Sequence, residues 1–463
     1  MQQSSDYKQI NQKKLNQMKK LLLGFALMFG ASLGAKAQNS SPYDLEGAVQ
    51  IALENNLTLK RSELNQLTNE ANLLSAQGNR YPTLSTGASS GFRWGRSINP
   101  VTNLFETERI GNINLSLNSN ATLFSAGRIN NAINQNKANL EAGKFNIEAT
   151  RNDIILNTIN LFINVVFNRE QVKIAENQLE TTEDQLARTT TLVEAGQLPL
   201  SDQLDLQAQN ATNQLEVINA KNAFRIAKLN LAQAMQIPFT DDFDIVDPEL
   251  EIDQNLMASE NPALIYETAV NIMPEIAAAQ KTIESAEYGV RSAKGAFYPS
   301  LGIGANVFSN YVDRAAPGQE PPLFATQIEN NLSQSVNLQL NIPIFTQFNN
   351  RSSLQRARVQ RQLAEVAELE AKNQLRQDIE TAYNQALAAK LSYEASLTRV
   401  ESLGESFRIA QQRFDLGAIN SVDFQVAQTN FFNAQADLLN AKYTYIFRVK
   451  VLDFYLGNPI NLN

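Results

Sequence analysis

The chain has 463 residues, a formal net charge of -8 and only 19% charged residues, with neither Cys nor His. The acidic balance excludes a nucleic-acid partner, because phosphate binding needs a basic face. Lacking Cys, the chain has no disulfide, no thiolate metal site and no Cys for lipid attachment; lacking His, it has lost the commonest general base and transition-metal ligand, so neither catalysis nor a cofactor or metal is expected.

The N-terminus reads as a cleavable signal peptide over residues 1–37. Lys19 and Lys20 precede an apolar stretch from Leu21 to Leu33, and Ala35-Lys36-Ala37 places small residues at the -3 and -1 positions. Met18 is the better start and Gln38 the expected first mature residue. The apolar run has about 13 residues, short of the ~20 that a spanning helix needs. No later run approaches that length, so a mature chain that enters a membrane must do so as a closed β-barrel.

From 44 to 79 apolar positions recur at helical spacing, with Leu53, Leu57, Leu64, Leu67 and Leu74 near one face. From Tyr81 the chain becomes rich in Gly, Ser and aromatics. Strict alternation then appears, with Ile113, Leu115 and Leu117 set against Asn114, Ser116 and Asn118. This is a period-2 strand with one apolar face. Its expected length of about 10 residues suits a tilted membrane strand. A strand hairpin over 81–124 follows, with its connecting loop at about 95–110. A Pro-free helix is expected over 127–195, about 68 residues or roughly 100 Å long. No globular domain accommodates a lone helix of that length, so it belongs to a coiled-coil assembly.

Glu194-Ala195-Gly196-Gln197-Leu198 leads to Asp202 and a return helix over 200–236. Gly196 can take the left-handed conformation that ends a helix, and Ser201 is a candidate N-cap. Asp202 and Asp205 are expected in the first turn of the return helix, where an acid complements the helix dipole. Residues 237–260 contain eight acids and no base, and 241–260 reads as a solvated inter-repeat linker.

The chain is then written a second time. Ser75-Ala76-Gln77-Gly78 and Tyr81-Pro82-Thr83-Leu84 match Ser292-Ala293-Lys294-Gly295 and Tyr298-Pro299-Ser300-Leu301. Leu123-Phe124 matches Ile344-Phe345; Gly196 and Asp202 match Gly417 and Asp423; Asn219-Ala220-Lys221 matches Asn440-Ala441-Lys442. The offset stays between 217 and 221, so residues 38–240 and 261–463 are two copies of one unit. The second copy predicts a helix near 264–296, a hairpin over 298–345, a long helix over 349–415 and a return helix over 421–457. Val336 to Ile344 alternate with Ser335 to Pro343, and the loop at about 310–330 reads as solvated, including Asp313, Arg314 and Glu320. Asp415-Leu416-Gly417-Ala418-Ile419 forms the second tip, with Asn420 or Ser421 as cap and Asp423 in the first turn. Tyr81, Trp94, Phe124, Tyr298, Tyr311 and Phe345 stand near strand ends, where an aromatic girdle sits. In each copy the two shorter helices sum to about the length of the long one, so each unit is two parallel rods topped by a hairpin.

Four strands cannot close a barrel, whose smallest form has eight. Strands must be pooled between chains. Two chains give 8 strands and three give 12, and only the larger leaves a lumen.

In this ordered set of features the chain resembles the TolC-type outer membrane efflux proteins (the outer membrane factor family). The Tyr-Pro-x-Leu strand openings, Leu/Ile-Phe before the long helices, and Arg413-Phe414-x-x-Gly417-x5-Asp423 with Ala427 carry the likeness, which runs from about Asp44 to Pro459. It implies an α+β membrane protein: a homotrimer with a 12-stranded transmembrane β-barrel, four strands per chain, continuous with a periplasmic α-helical barrel. It implies a passive channel that works with a periplasmic adaptor protein and an inner-membrane pump, in efflux or type I secretion. The resemblance assigns Asp423 to an acidic pore ring, Asp202 to an inter-helix gate bond, and the tip residues Gly196, Leu198, Gly417 and Ile419 to adaptor contact. This sequence departs from the family pattern at Val426, where a second ring acid is expected, at Phe414, which replaces a gate tyrosine, and at Ile419, which stands for a gate arginine. Asp205 is a candidate for the missing carboxylate. The competing reading is a structural or adhesive coiled-coil surface protein with a barrel anchor; strands recurring in two interior blocks at equal spacing favour the conduit.

Overall fold

A computed structural model of the chain describes residues 42–98, 103–246, 261–314 and 320–458. The signal peptide expected over 1–37, and 247–260 of the inter-repeat segment, lie outside the described residues. The first half forms α1 (Leu45–Asn55), α2 (Leu57–Gly78), β1 (Thr83–Ile98), β2 (Phe105–Phe124), α3 (Arg128–Glu194) and α4 (Leu200–Ala234). The second forms α5 (Pro262–Ile272), α6 (Pro274–Gly295), β3 (Ser300–Val312), α7 (Phe324–Asn330), β4 (Ser333–Asn341), α8 (Asn349–Asp415) and α9 (Ser421–Tyr455).

Each first helix is broken where the repeat pattern suggests one rod. Asn56 leaves the helix in an extended conformation and its side chain accepts from the Thr58 and Leu59 N–H groups, ending α1 and capping α2. In the second copy Met273 is extended and Pro274, which has no N–H to donate, opens α6. The helices α3 and α8 have 67 residues each, or about 100 Å.

The strands differ from the expected length of about 10. They run 16, 20, 13 and 9 residues, so that 95–98 and 105–110 are strand rather than loop. β4 stops at Asn341, short of the alternation that continues to Ile344, because Pro343 cannot donate to a ladder. The loop expected over 310–330 contains α7, pinned to the end of β3 by the Gln327 amide, which bonds both the N–H and the C=O of Val312 at 3.1 and 3.0 Å.

Among the described residues the strands make one antiparallel sheet in the order β1-β2-β3-β4. The helices follow the same order, with α2 against α3 and α6 between α3 and α8. The protomer is therefore a slab with β1 and α2 on one edge and β4 and α8 on the other. On that first edge Leu57, Leu64, Leu67 and Leu74 stand 70%, 53%, 57% and 71% exposed. Residues whose spacing suggests a core face thus lie outside the core of the single chain.

The largest core sits at the waist. Phe162, Val165, Leu231, Met235 and Ala52 are fully buried there between α1, α3 and α4. The expected solvated linker begins differently: Phe243 and Ile245 are buried in this core, Ile245 bridges Tyr43 in parallel, and Arg169 pairs with Asp244 at 2.5 Å. Acidic composition hid the two apolar anchors at alternate positions.

At the same waist burial raises the Glu275 carboxyl above its ordinary value; a backbone hydrogen bond opposes this, and the charges of Asp153 and Asp378 add to it. Burial, then the charges of Asp378, Glu275 and Asp153, push the Tyr455 phenol up to about 12. For an acid raised in the folded state, its contribution to stability is full below the unfolded carboxylate pKa and is lost as pH rises through the folded one. The Glu275 contribution to thermal stability is expected to fall as pH rises above about 4, and Glu275→Gln to remove that part of the slope. An identical pH slope in the variant would remove Glu275 as its source.

Candidate functional site at the hairpin tips

Both helical hairpins turn by the same device. Gly196 and Gly417 have φ of +72° and +67°, conformations that a Cβ penalises. In each turn the following N–H reaches back five residues, Gln197 to the Leu192 carbonyl at 2.9 Å and Ala418 to Arg413 at 2.8 Å. The return caps differ. Asn420 accepts from the Asp423 N–H at 2.8 Å, whereas α4 is preceded by Pro199 with no side-chain cap, and Ser201 lies inside the helix. Asp202 and Asp423 lie in first turns, but Asp205 belongs to the second turn.

The two copies meet at the tips. Buried Ser421 places its hydroxyl 3.4 Å from Asp202 Oδ1 and 3.5 Å from Asp205 Oδ2, so one hydroxyl of the second hairpin stands between two carboxylates of the first. Arg188 of α3 pairs with Asp415 of α8 at 3.0 Å. Above them Leu206, Phe414 and Phe424 form a small apolar plug, with Phe414 and Phe424 stacked at 5.0 Å and Ile419, Leu186 and Phe407 around them. Phe414 and Ile419, where the resemblance expects polar gate residues, thus pack within the chain. Asp423 is exposed, as is Val426 one turn on.

Further from the tip, packing between the helices becomes polar. Thr182 is fully buried; its hydroxyl accepts from Asn213 at 2.8 Å and Gln428 at 3.0 Å and donates to the Gln178 carbonyl at 3.0 Å. One threonine thereby ties α3 to both α4 and α9. Sequence reading missed this hub, although Gln178, Thr182, Gln185 and Thr189 recur at helical spacing and mark a seam.

At the turns Gly196 and Gly417 are open to solvent, and nothing lies within 4 Å of a Cβ built on either. Leu198 and Ile419 are only partly exposed, whereas Leu200, Leu416 and Val422 are 60%, 83% and 53% exposed. The outward apolar surface of the tips therefore comes from residues that the tip motif did not single out.

A family model described as "Outer membrane efflux protein" matches residues 48–235 and 265–458, once in each half. The chain belongs to the outer membrane efflux protein family. It is an outer-membrane channel component serving export. It is 25% identical over 425 residues to the toluene efflux pump outer membrane protein TtgC of Pseudomonas putida, covering 87% of this chain and 80% of the relative. It is 23% identical to the outer membrane protein TolC of Escherichia coli, covering 95% and 87%. In fold it is similar to the outer membrane protein VceC of Vibrio cholerae, with a TM-score of 0.75 at 16% identity over 90% of this chain and 97% of that one. No described helix of this efflux protein is long and apolar enough to cross a membrane.

Proposed function

We propose that three copies of this efflux protein close into a single conduit, a 12-stranded barrel in the outer membrane above a helical tube about 100 Å long. The observation that carries the reading is the pair of complementary edges. β1 and β4 each have one partner, and an open edge in hydrocarbon leaves N–H and C=O groups unsatisfied at several kcal/mol each. The same edges carry the exposed leucines of α2 and, on α8, exposed Val359, Leu363, Val366 and Leu369. Joining β1 and α2 of one copy to β4 and α8 of the next is a head-to-tail contact, which closes only as a ring. In the barrel Ile113, Leu115, Leu117, Ile303, Val307, Val336 and Leu338 face lipid, and Asn112, Asn114, Asn118, Asn306, Asn337 and Gln339 line the lumen.

The tips form the periplasmic mouth. Asp202, Asp205 and Asp423 place carboxylates there, Ser421 bridges the first two, and the plug containing Phe414 holds the hairpins together. Threefold repetition of these acids around a narrow opening favours cations. Gly196, Leu198, Gly417 and Ile419 shape the turns, and with Leu200, Leu416 and Val422 they contact the periplasmic adaptor that links the channel to an inner-membrane pump. Export is directed by the signal peptide over residues 1–37.

The test is to extract the protein from outer membranes, image it, and record conductance. A threefold particle with one barrel and a long tube is expected, with Asp202→Asn/Asp423→Asn lowering cation selectivity several-fold. A monomer, or a particle without a barrel, would reject the conduit; unchanged selectivity would reject the acidic mouth.

A further inference from the structure

We propose that Arg96 and Arg109, set among Phe92, Trp94 and Phe105, form a docking surface for the phosphates of lipopolysaccharide on the outer rim of the barrel. This rests on the barrel reading above. β1 leaves the helices at Thr83 and β2 returns to them at Phe124, so the Ile98/Phe105 end of this hairpin is the one furthest from the helical tube. With the tube in the periplasm, that end reaches the outer leaflet.

The register decides which face the cations occupy. Trp94 pairs with Arg109, Phe92 with Gly111, Arg96 with Thr107 and Thr86 with Leu117. Alternation places Arg96 and Arg109 on the face of Ile113, Leu115 and Leu117, the lipid side, while Arg93 falls on the lumen side. Arg109 lies eight positions from Leu117 along β2. At ~3.3 Å per residue and ~40° tilt that is about 20 Å along the membrane normal. With Leu117 near the midplane, the cation lies beyond the ~15 Å half-thickness of the hydrocarbon, among the headgroups.

The site is built rather than incidental. The Arg109 guanidinium lies over the Phe92 ring at 4.6 Å and touches Asp313 at one distance of 3.5 Å. Asp313 turns its other oxygen to the Gly111 N–H at 2.6 Å. A Cβ on Gly111 would lie 2.5 Å from that aspartate and 2.9 Å from the Phe92 ring, so glycine lets both pack on the strand beneath the arginine. Asp313, expected in a solvated loop, is thus a support of β2. Arg314, also expected there, bonds the Arg109 carbonyl. Arg96 lies over the Phe105 ring at 5.2 Å, with no ion pair among the described residues. A guanidinium held over a ring by its charge keeps N–H donors free for a further partner, and its fork takes a phosphate bidentately. Trp94 and Phe92 are 71% and 54% exposed beside these donors, which suits the boundary between acyl chain and headgroup. One cluster of arginines and exposed rings at headgroup depth on the lipid face matches a phosphorylated glycolipid better than a soluble partner.

The experiment uses the full chain in phosphatidylcholine nanodiscs, titrated with lipopolysaccharide and with its dephosphorylated form. At about fivefold per arginine, Arg96→Gln/Arg109→Gln is expected to weaken binding roughly 30-fold, to the level of the dephosphorylated lipid. Arg93→Gln on the lumen side is expected to leave binding unchanged. Equal binding by the double variant, or by the dephosphorylated lipid, overturns the proposal. So does full competition by millimolar inorganic phosphate, which would make this a free-anion site. Particles imaged from the same preparation separate the two failures: intact barrels with unaltered binding reject the docking surface alone, whereas particles without a barrel reject the conduit.

Discussion

Phe424→Ala is expected to be the most damaging single truncation at the tips, costing about 3–5 kcal/mol of local stability. The ring is fully buried and stacks on Phe414 at 5.0 Å, with Phe407 at 5.9 Å and Leu206 completing the plug. So small a cluster has little neighbouring side chain to fill the void. At the tip itself the polar links beside it are the Ser421 hydroxyl at 3.4–3.5 Å from its carboxylates and the exposed Arg188–Asp415 pair, the Thr182–Gln428 bond lying further along the helices. An exposed ion pair contributes at most about 1 kcal/mol. With the plug gone the hairpins should part, and conductance in planar bilayers should rise. Leu416→Ala is the control: at 83% exposed it should leave stability within about 0.5 kcal/mol while weakening adaptor binding. Conductance and unfolding temperature both unchanged in the Phe424 variant would remove the plug from any gating role.

Leu117→Arg is expected to block assembly, whereas Asn114→Arg three residues earlier is tolerated. Leu117 pairs with Thr86 and Val307 on the apolar face of the sheet; Asn114 lies on the opposite face beside Ser89. An arginine near the bilayer midplane on the lipid face costs about 2–4 kcal/mol per subunit, and a closed trimer meets it three times. On the lumen side the same cation stays in water and should shift ion selectivity towards anions. The measurement is the amount of each variant in the outer-membrane fraction, followed by reversal potentials. Equal assembly of the two would mean that the apolar face does not meet lipid, leaving an ordinary two-faced sheet.

The parts legible in the sequence are those governed by neighbours along the chain. The lengths of α3 and α8 follow from Pro-free runs bounded by Gly127 with Gly196 and by Gly417, because helix termination depends on a residue's own φ and the next few hydrogen bonds. Which strand face is apolar follows from period-2 alternation, and duplication follows from the constant offset. The breaks went unread: the helix expected near 264–296 runs through Pro274, which opens a new helix, and the matching break at Asn56 depends on a side chain that caps rather than continues. The tip site was legible as a turn with acids nearby, but not as a bridge between copies. Ser421 reaches Asp202 across 219 positions, and Thr182 takes Gln428 across 246.

By itself, then, the order of residues determined rod lengths, strand faces, the two copies and the absence of any Cys or His chemistry. The tertiary structure decided which edges remain open, that the leucines of α2 face outward, that Phe243 and Ile245 enter the waist core, and that Gly111 seats Asp313 and Phe92 under Arg109. The physical reason is range. Periodicity and turn chemistry act over a few residues, whereas a buried hydrogen bond or packed ring is stabilising only after segments as many as 246 residues apart have been brought within about 4 Å.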